Sequence, residues 1–298
     1  MTDLEKFIQK YGGVTEEYRF YNNTVVLRYD VNKHVYYKVT GDALIKQDGV
    51  TNICHIIDKS SVLIPWACKM MEQKLQKSVE PYLSPTQLII DKKEFDDLVK
   101  SAKSAHKDKL EAAGAIGHET HGWIETFIKG VMSGSVHEKP LDLPDETKAL
   151  SAVTAALDWI KRHNVRWIHT ERKIYSLEHS YAGTMDGLCL ADSCDNPACC
   201  PEHFKDRRTL VDWKTSNYLY VEYILQTAAY KYAYEEETNE KVDDIWIIRL
   251  GKTDSKFEAW HLPQDLILEG WLAFYEALQL ARGMQKINNL VKEMKEKA

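Results

Sequence analysis

The sequence contains no run of about eighteen apolar residues, which is the length that a transmembrane helix requires. It also does not open with a basic stretch followed by an apolar one, as a secretory signal does. These absences lead us to expect a cytoplasmic protein that has no membrane partner. Cysteine is scarce too: six in 298 residues do not make a disulfide scaffold, and they indicate reduced thiols or a metal site.

A surplus of positive charge is missing as well, since the formal net charge is −6. This argues against a protein that coats nucleic acid through its overall charge. It leaves room for a nuclease, in which a metal held by acidic residues lies within a locally basic groove. The eight tryptophans and sixteen tyrosines suffice for a sizeable core, and the length fits one large domain or two modest ones.

The first part of the chain reads as a β-rich region followed by helices. Residues 18–39 alternate in polarity as strands joined by asparagine turns, and residues 40–61 read as a loop. Helical periodicity follows over 62–80 and again over 92–129, where glycines predict a break near 114–117.

The second half predicts a sheet flanked by helices. After a linker around Pro140, a helix begins at Pro144, and three strands, a helix, two strands and a long C-terminal helix follow. This order indicates an α/β fold with a mixed sheet, of the α+β kind. We therefore predict an N-terminal elaboration over 1–110 and a core over 111–298 that is one compact unit. The first of these helices has a predicted buried face that holds Leu150, Val153, Leu157 and Ile160.

Opposite charges stand on one side of a strand in the stretch LVDWK, residues 210–214. Because side chains alternate along a strand, Asp212 and Lys214 share one face, and Val211 and Trp213 point to the other. One interpretation is a surface strand with a solvated ion pair, worth about 0–1 kcal/mol. The other is a pair of functional groups on rigid backbone, and the spacing alone does not separate the two.

Asp186 lies mid-strand among apolar neighbours in YAGTMDGLCL, where Gly183 would let another backbone approach closely. Burying a lone carboxylate costs roughly several kcal/mol unless a cation neutralises it. With Asp212 on an adjacent strand the two acids would also repel each other, and a divalent metal resolves both problems. The alternative is that Asp186 caps a turn beside Gly187.

Two helices offer further candidates. Gly117, His121 and Glu125 would stack on one helical face, so His121 is either a third ligand or a structural histidine. The overlapping His-Glu-Thr-His stretch lacks the spacing of a zinc-protease helix. Gln226 and Tyr230 share a face of the helix after the charged strand, and they either reach the site or pack on the sheet.

The chain resembles the RecB-like branch of the PD-(D/E)XK nuclease superfamily in four elements that occur in the expected order: Gly117-x3-His121, Gly183-Thr184-Met185-Asp186, Asp212-Trp213-Lys214 and Gln226-x3-Tyr230. The segment DGVTNICHIIDKSSVLIPWACKMM is also similar to the N-terminal region of phage-encoded and mitochondrial genome maintenance exonucleases of this branch. Two departures stand out. Met185 replaces the proline that often precedes the first acid, and the long segment 191–208 separates the two acid strands.

The resemblance implies a restriction-endonuclease-like PD-(D/E)XK core that carries a metal-dependent DNA exonuclease. The enzyme would hydrolyse phosphodiester bonds from DNA ends in recombination, repair or DNA degradation. Its partners would be DNA with a free end and recombination or replication proteins.

The resemblance also implies ligands for Mg²⁺ or Mn²⁺ at four positions: His121, Asp186, Asp212 and the backbone carbonyl of Trp213. Lys214 would orient or deprotonate the attacking water, or stabilise the phosphate. Gln226 and Tyr230 would support the site or contact DNA, and Glu125 and Glu171 would be outer acids.

Four soft ligands cluster in the segment between the acid strands: Cys194, Cys199, Cys200 and His203. Such a set suggests a structural Zn²⁺. The spacing C-x4-C-C-x2-H is not that of a standard finger, and adjacent cysteines make tetrahedral closure awkward. A loop with free thiols is therefore the alternative.

Three other functions stay open beside the exonuclease. The same fold would serve an endonuclease or nickase, or a catalytically inactive module that binds DNA or protein. In the third, the cysteine-rich segment is a zinc-organised interaction surface and the working part of the protein.

Overall fold

The computed structural model describes residue 6 and residues 15–135, 141–197, 199–200 and 202–297. The predicted linker around Pro140 lies partly outside the described residues. The chain forms two compact units, one of Met1–Ile56 with Thr120–Ala298 and the other of Ile57–Glu119. These limits do not coincide with residue 110, and the division into 1–110 and 111–298 stays a prediction.

The strands are β1 (Thr15–Phe20), β2 (Val25–Asp30), β3 (Val35–Thr40), β4 (Ala43–Lys46), β5 (Asp48–Gly49), β6 (Arg166–Ser176), β7 (Tyr181–Ala191), β8 (Arg207–Lys214), β9 (Asp244–Leu250) and β10 (Phe257–His261). The helices are α1 (Val50–Cys54), α2 (Ser60–Val79), α3 (Lys92–Lys103), α4 (Ala105–Ser133), α5 (Thr147–Arg162), α6 (Glu222–Thr238) and α7 (Gln264–Glu296). A short 3-10 turn, Glu80–Tyr82, comes after α2. Among the described residues, none of these helices is both long and apolar enough to cross a membrane.

The N-terminal strands β1 to β4 form an antiparallel sheet in sequence order. Asn22 and Asn23 turn the chain between the first two strands with φ of 54° and 69°, a left-handed conformation that asparagine tolerates. The strands predicted over 18–39 are confirmed. The loop predicted over 40–61 is wrong, because β4, β5 and α1 lie there. These elements are short and β4 is largely exposed, so they leave almost no hydrophobic pattern.

The second sheet has the order β10-β9-β8-β7-β5, and β6 pairs with β7. Strand β7 is antiparallel to both β6 and β8, whereas β8 and β9 are parallel. Helix α6 makes the crossover that a parallel pair requires. The predicted order of helix, three strands, helix, two strands and helix is confirmed, and so is the mixed sheet with flanking helices.

Both faces of β8 are buried. Leu210 packs in a core with Ala229 of α6 and Phe274 of α7. Val211 and Trp213 pack in a second core formed with helices α4 and α5, whose contributing side chains include Ile124, Ile128 and Trp159. The strand is therefore a central one, and the interpretation of a solvated surface strand is wrong.

Two helical predictions need correction. The predicted break near 114–117 is wrong, because α4 continues through it and the break falls at Ser104. A glycine inside a helix costs only about 1 kcal/mol relative to alanine, which a long helix tolerates.

In α5, which starts at Thr147 and not at Pro144, Val153 is buried as predicted, while the rest of the buried face is small residues and a tryptophan. Leu150, Leu157 and Ile160 are half-buried, whereas Ala152, Ala155 and Ala156 are fully buried.

Candidate functional site

Strands β7 and β8 separate just before their acidic residues. The ladder between them ends at the pair Gly187 and Val211, so Asp186 and Asp212 stand at the mouth of the fork. The gap is bridged by the side chain of Asp186, whose Oδ2 accepts a hydrogen bond of 2.8 Å from the backbone N–H of Trp213. On its other edge β8 stays paired with β9 through Lys214. The fork is therefore bridged by the side chain of Asp186 on one edge of β8 and supported by β9 on the other.

Asp212 is a buried acid that is paired with Lys214 through Oδ2, while its Oδ1 has no hydrogen-bond donor among the described residues. Its side chain is 1% exposed, and neither carboxylate oxygen accepts a well-oriented hydrogen bond. The Nζ of Lys214 lies 2.7 Å from Oδ2 as an ion pair. Burial raises the pKa of Asp212 to about 7; Lys214 opposes this rise, and Asp186 adds to it. Buried carboxylates are normally satisfied on both oxygens, so the free Oδ1 is compatible with a further cationic partner.

Lys214 is fixed by neighbours on α6. Its Nζ donates to Oε1 of Gln226 at 3.2 Å and lies 4.5 Å from the ring centre of Tyr223. Gln226 in turn donates through Nε2 to the hydroxyl of Tyr230 at 2.8 Å. Burial lowers the pKa of Lys214, but the carboxylates of Asp212 and Asp186 outweigh it, and the pKa is raised. The lysine therefore stays an ammonium at neutral pH.

Tyr230 packs directly on β7 at Gly183. A Cβ placed on Gly183 would lie 2.6 Å from Cε1 of this tyrosine. The glycine was predicted to admit a backbone, and the structure shows that it admits an aromatic ring. Beside it, the hydroxyls of Tyr36 and Thr184 are 2.6 Å apart. This contact brings the N-terminal sheet to the same strand.

His121, Glu171 and Asp186 form a second part of the site. One ligand atom from each lies within 4.8 Å of the others, and Nδ1 of His121 is 3.7 Å from Oδ2 of Asp186. All three are partly exposed, so solvent reaches them. Two oxygen donors and one imidazole suit Mg²⁺ or Mn²⁺. Of the predicted side-chain ligands, His121 and Asp186 are thus brought together, and Asp212 is not in this group.

Glu171 is held in an unusual backbone conformation. The β6–β7 register passes from Thr170 opposite Gly187 to Arg172 opposite Met185, which places Glu171 beside Asp186. Its φ is 48°, in the left-handed region that non-glycine residues seldom occupy. Such strain, of order 1–3 kcal/mol, concentrates at functional sites.

Glu171 and Glu125 were both predicted to be outer acids, but their electrostatic environments differ. Burial raises the pKa of Glu171 to about 8, with further increases from Asp186 and Glu125. Glu125 is instead paired with Lys129 one turn along α4 and is not in the ligand group. Glu171 is therefore the outer acid that the geometry supports.

Trp213 contributes to the site through its backbone. Its N–H binds Asp186, while its indole lies in the core against Trp159, with ring centres 5.6 Å apart. The proposed role of its carbonyl as a metal ligand stays a prediction.

The cysteine cluster has a different histidine from the one predicted. Ligand atoms of His163, Cys194, Cys199 and Cys200 lie within 4.8 Å of one another. His203, which was predicted with the cysteines, is not in the group, and its Nδ1 is 3.4 Å from Oγ of Ser193. His163 comes directly after the last residue of α5 and is fully buried. Because His163 is far from the cysteines in the sequence, no motif spacing links it to them. Its position directly after a buried helical face is the sequence feature that could have indicated a buried ligand.

The comparisons with known proteins give a structural likeness alone. No family model matches the chain, and no curated protein matches it. Among solved structures, the chain is similar to a crystal structure from Eubacterium rectale named "Putative exonuclease", with 10% sequence identity and a TM-score of 0.34. The likeness covers 72% of this chain and 84% of that one. It points to a nuclease-type neighbour, and at these values it carries no argument about the activity of this chain.

Proposed function

We propose that this chain is a metal-dependent DNA exonuclease built on a restriction-endonuclease-like PD-(D/E)XK core of the RecB-like branch. The observation that carries the proposal is the buried carboxylate of Asp212, paired with Lys214 through Oδ2 and without a donor at Oδ1, which lies with Asp186 at the strand fork. The partly exposed group of His121, Glu171 and Asp186 supports it. The substrate is DNA with a free end, in recombination, repair or DNA degradation in the cytoplasm.

The residues present fit a hard divalent cation. His121, Asp186, Asp212 and the carbonyl of Trp213 would hold Mg²⁺ or Mn²⁺, and Glu171 adds an outer carboxylate. When bound, the ion lowers the pKa of a coordinated water and offsets negative charge on the phosphate. Without such a cation, burial and, to a smaller extent, repulsion between the carboxylates raise the pKa values of Glu171 and Asp212.

Lys214 acts as a cation in this proposal. The carboxylates of Asp212 and Asp186 outweigh its burial and raise its pKa. The ammonium stabilises negative charge that develops on the phosphate oxygens. Gln226 holds it in place, and Tyr230, which is 2% exposed, supports Gln226 and does not reach DNA.

A digest of labelled DNA tests the proposal. With Mg²⁺ or Mn²⁺, the wild-type protein should shorten linear DNA from an end and leave closed circles intact, and Lys214→Ala should lose about 10²-fold or more of the rate. Lys256→Ala, on a loop between β9 and β10, is the matched control and should keep full activity.

Other outcomes of the digest would indicate a different function. Cleavage of closed circles would replace the exonuclease by an endonuclease or nickase of the same fold. Binding of DNA without cleavage at either metal would favour an inactive module and overturn the enzymatic proposal.

A further inference from the structure

We propose that His163, Cys194, Cys199 and Cys200 bind one structural zinc ion, separate from the proposed nuclease site. Nε2 of His163 lies 3.7 Å from Sγ of Cys199 and 3.6 Å from Sγ of Cys200. The sulfurs of Cys194 and Cys200 are 3.6 Å apart. The four ligand atoms thus surround one point inside the protein.

These separations match the edges of a zinc tetrahedron. Zn–S bonds of about 2.3 Å and Zn–N bonds of about 2.0–2.1 Å place two sulfurs about 3.8 Å apart, and a sulfur and a nitrogen about 3.6 Å apart. A disulfide would need sulfurs about 2.05 Å apart. The observed 3.6 Å between Cys194 and Cys200 is therefore the spacing of shared ligands and not of a bond.

The histidine is oriented for a metal. Its Nδ1 is 2.9 Å from the backbone carbonyl of Trp159, which requires the hydrogen to be on Nδ1. The lone pair of Nε2 then points at the sulfurs, and this pairing is the usual outer support of a metal-bound histidine.

The cysteines are also oriented toward a single metal ion. The backbone N–H groups of Cys199 and Cys200 both donate to the carbonyl of Asn196, at 3.0 Å and 2.8 Å. This turn lets the adjacent cysteines face one point, which removes the objection that their spacing raised. The N–H of Cys194 lies 3.3 Å from Sγ of Cys200, as a donor that stabilises a thiolate.

The site is structural because its four protein ligands complete the tetrahedron. An open fourth position is the mark of a catalytic zinc, and here His163 is fully buried and Cys194 and Cys200 are nearly so. The ion would fasten the segment between β7 and β8 to the end of α5. These are the strands that carry Asp186 and Asp212, so zinc would support the fork without taking part in cleavage.

Metal analysis of the full chain tests the inference. Protein expressed with added zinc and purified under reductant should contain about one zinc ion per chain. His163→Ala and Cys194→Ser should lose the zinc, and His203→Ala, a histidine of the same segment outside the group, should keep it. The assignment would be overturned if the wild-type protein contained no zinc or contained iron in its place. It would also be overturned if only His203→Ala removed the zinc.

A second measurement avoids variants that fail to fold. Wild-type protein stripped of metal and titrated with Co²⁺ should develop the intense visible bands of a tetrahedral ion and a near-ultraviolet thiolate band. Zinc should abolish both spectra and should protect the three thiols from alkylation. Mg²⁺ should do neither, so this result is independent of whether the chain cleaves DNA. A spectrum without thiolate bands would overturn the proposal.

Discussion

Without a bound metal, ionising the buried Asp212 costs free energy, because burial raises its pKa to about 7. The pKa of Glu171 is raised to about 8, also first by burial. Between an unfolded value near 4 and these folded values, the native state binds more protons than the unfolded state. Stability therefore falls as the pH rises through this window.

The first prediction concerns this pH dependence. Without added Mg²⁺ or Mn²⁺, the free energy of unfolding of the wild type should decrease from about pH 5 to about pH 8. Asp212→Asn removes one titrating group, so its stability relative to wild type should increase over the same range. Denaturant unfolding of both proteins measures this. A parallel loss in the two would show that Asp212 does not titrate in the window.

The second prediction concerns the contact between Gly183 and Tyr230. Gly183→Ala would place a methyl group 2.6 Å from a buried ring, which should destabilise the protein by about 1–3 kcal/mol and disturb Gln226. Gly122→Ala is the control, because its Cβ would meet nothing within 4 Å, and in a helix alanine should be neutral or stabilising. Thermal unfolding of both variants measures these changes in stability. Equal unfolding midpoints would contradict the packing argument.

At the scale of elements, strong hydrophobic periodicity decided which parts of the fold could be predicted from the sequence. Strands β6 to β9 and helix α6 were found because long apolar runs define them, and the positions of Asp186, Asp212 and Lys214 came with them. The two-residue strand β5 was missed because it has no pattern of its own. His163 was missed for another reason: it meets the cysteines only through the packing of α5 on the sheet.

The third prediction separates two acids on different elements. Glu171 on β6 stands in the ligand group, whereas Glu125 on α4 is paired with Lys129. Glu171→Gln should weaken Mn²⁺ binding on the order of 10-fold or more, and Glu125→Gln, with the same change in charge, should leave it nearly unchanged. Calorimetric titration measures both affinities. If Glu125→Gln weakened Mn²⁺ binding more than Glu171→Gln, the ion would lie nearer Glu125.

At the scale of the whole chain, the proposed nuclease ligands and the zinc ligands all belong to the unit of Met1–Ile56 with Thr120–Ala298. The fourth prediction rests on this distribution. Saturating Mn²⁺ should slow amide hydrogen exchange in peptides around β7, β8 and the start of α6, because bound ions stabilise the state that holds them. Peptides within Ile57–Glu119 should exchange at an unchanged rate. Slowing confined to that second unit would contradict the proposed site.

The parallel pairing of β8 with β9 has a consequence for any variant of the buried sheet. Asp212 lies opposite Ile247 and Lys214 opposite Arg249, so β9 sets which side chains of β8 face α6. A slip by a single position would turn the indole of Trp213 toward Gln226 and send the acid into a tryptophan-lined interior. Substitutions in β9 that shift this register would therefore displace Asp212 and Lys214 from the proposed site without contacting metal or nucleic acid themselves.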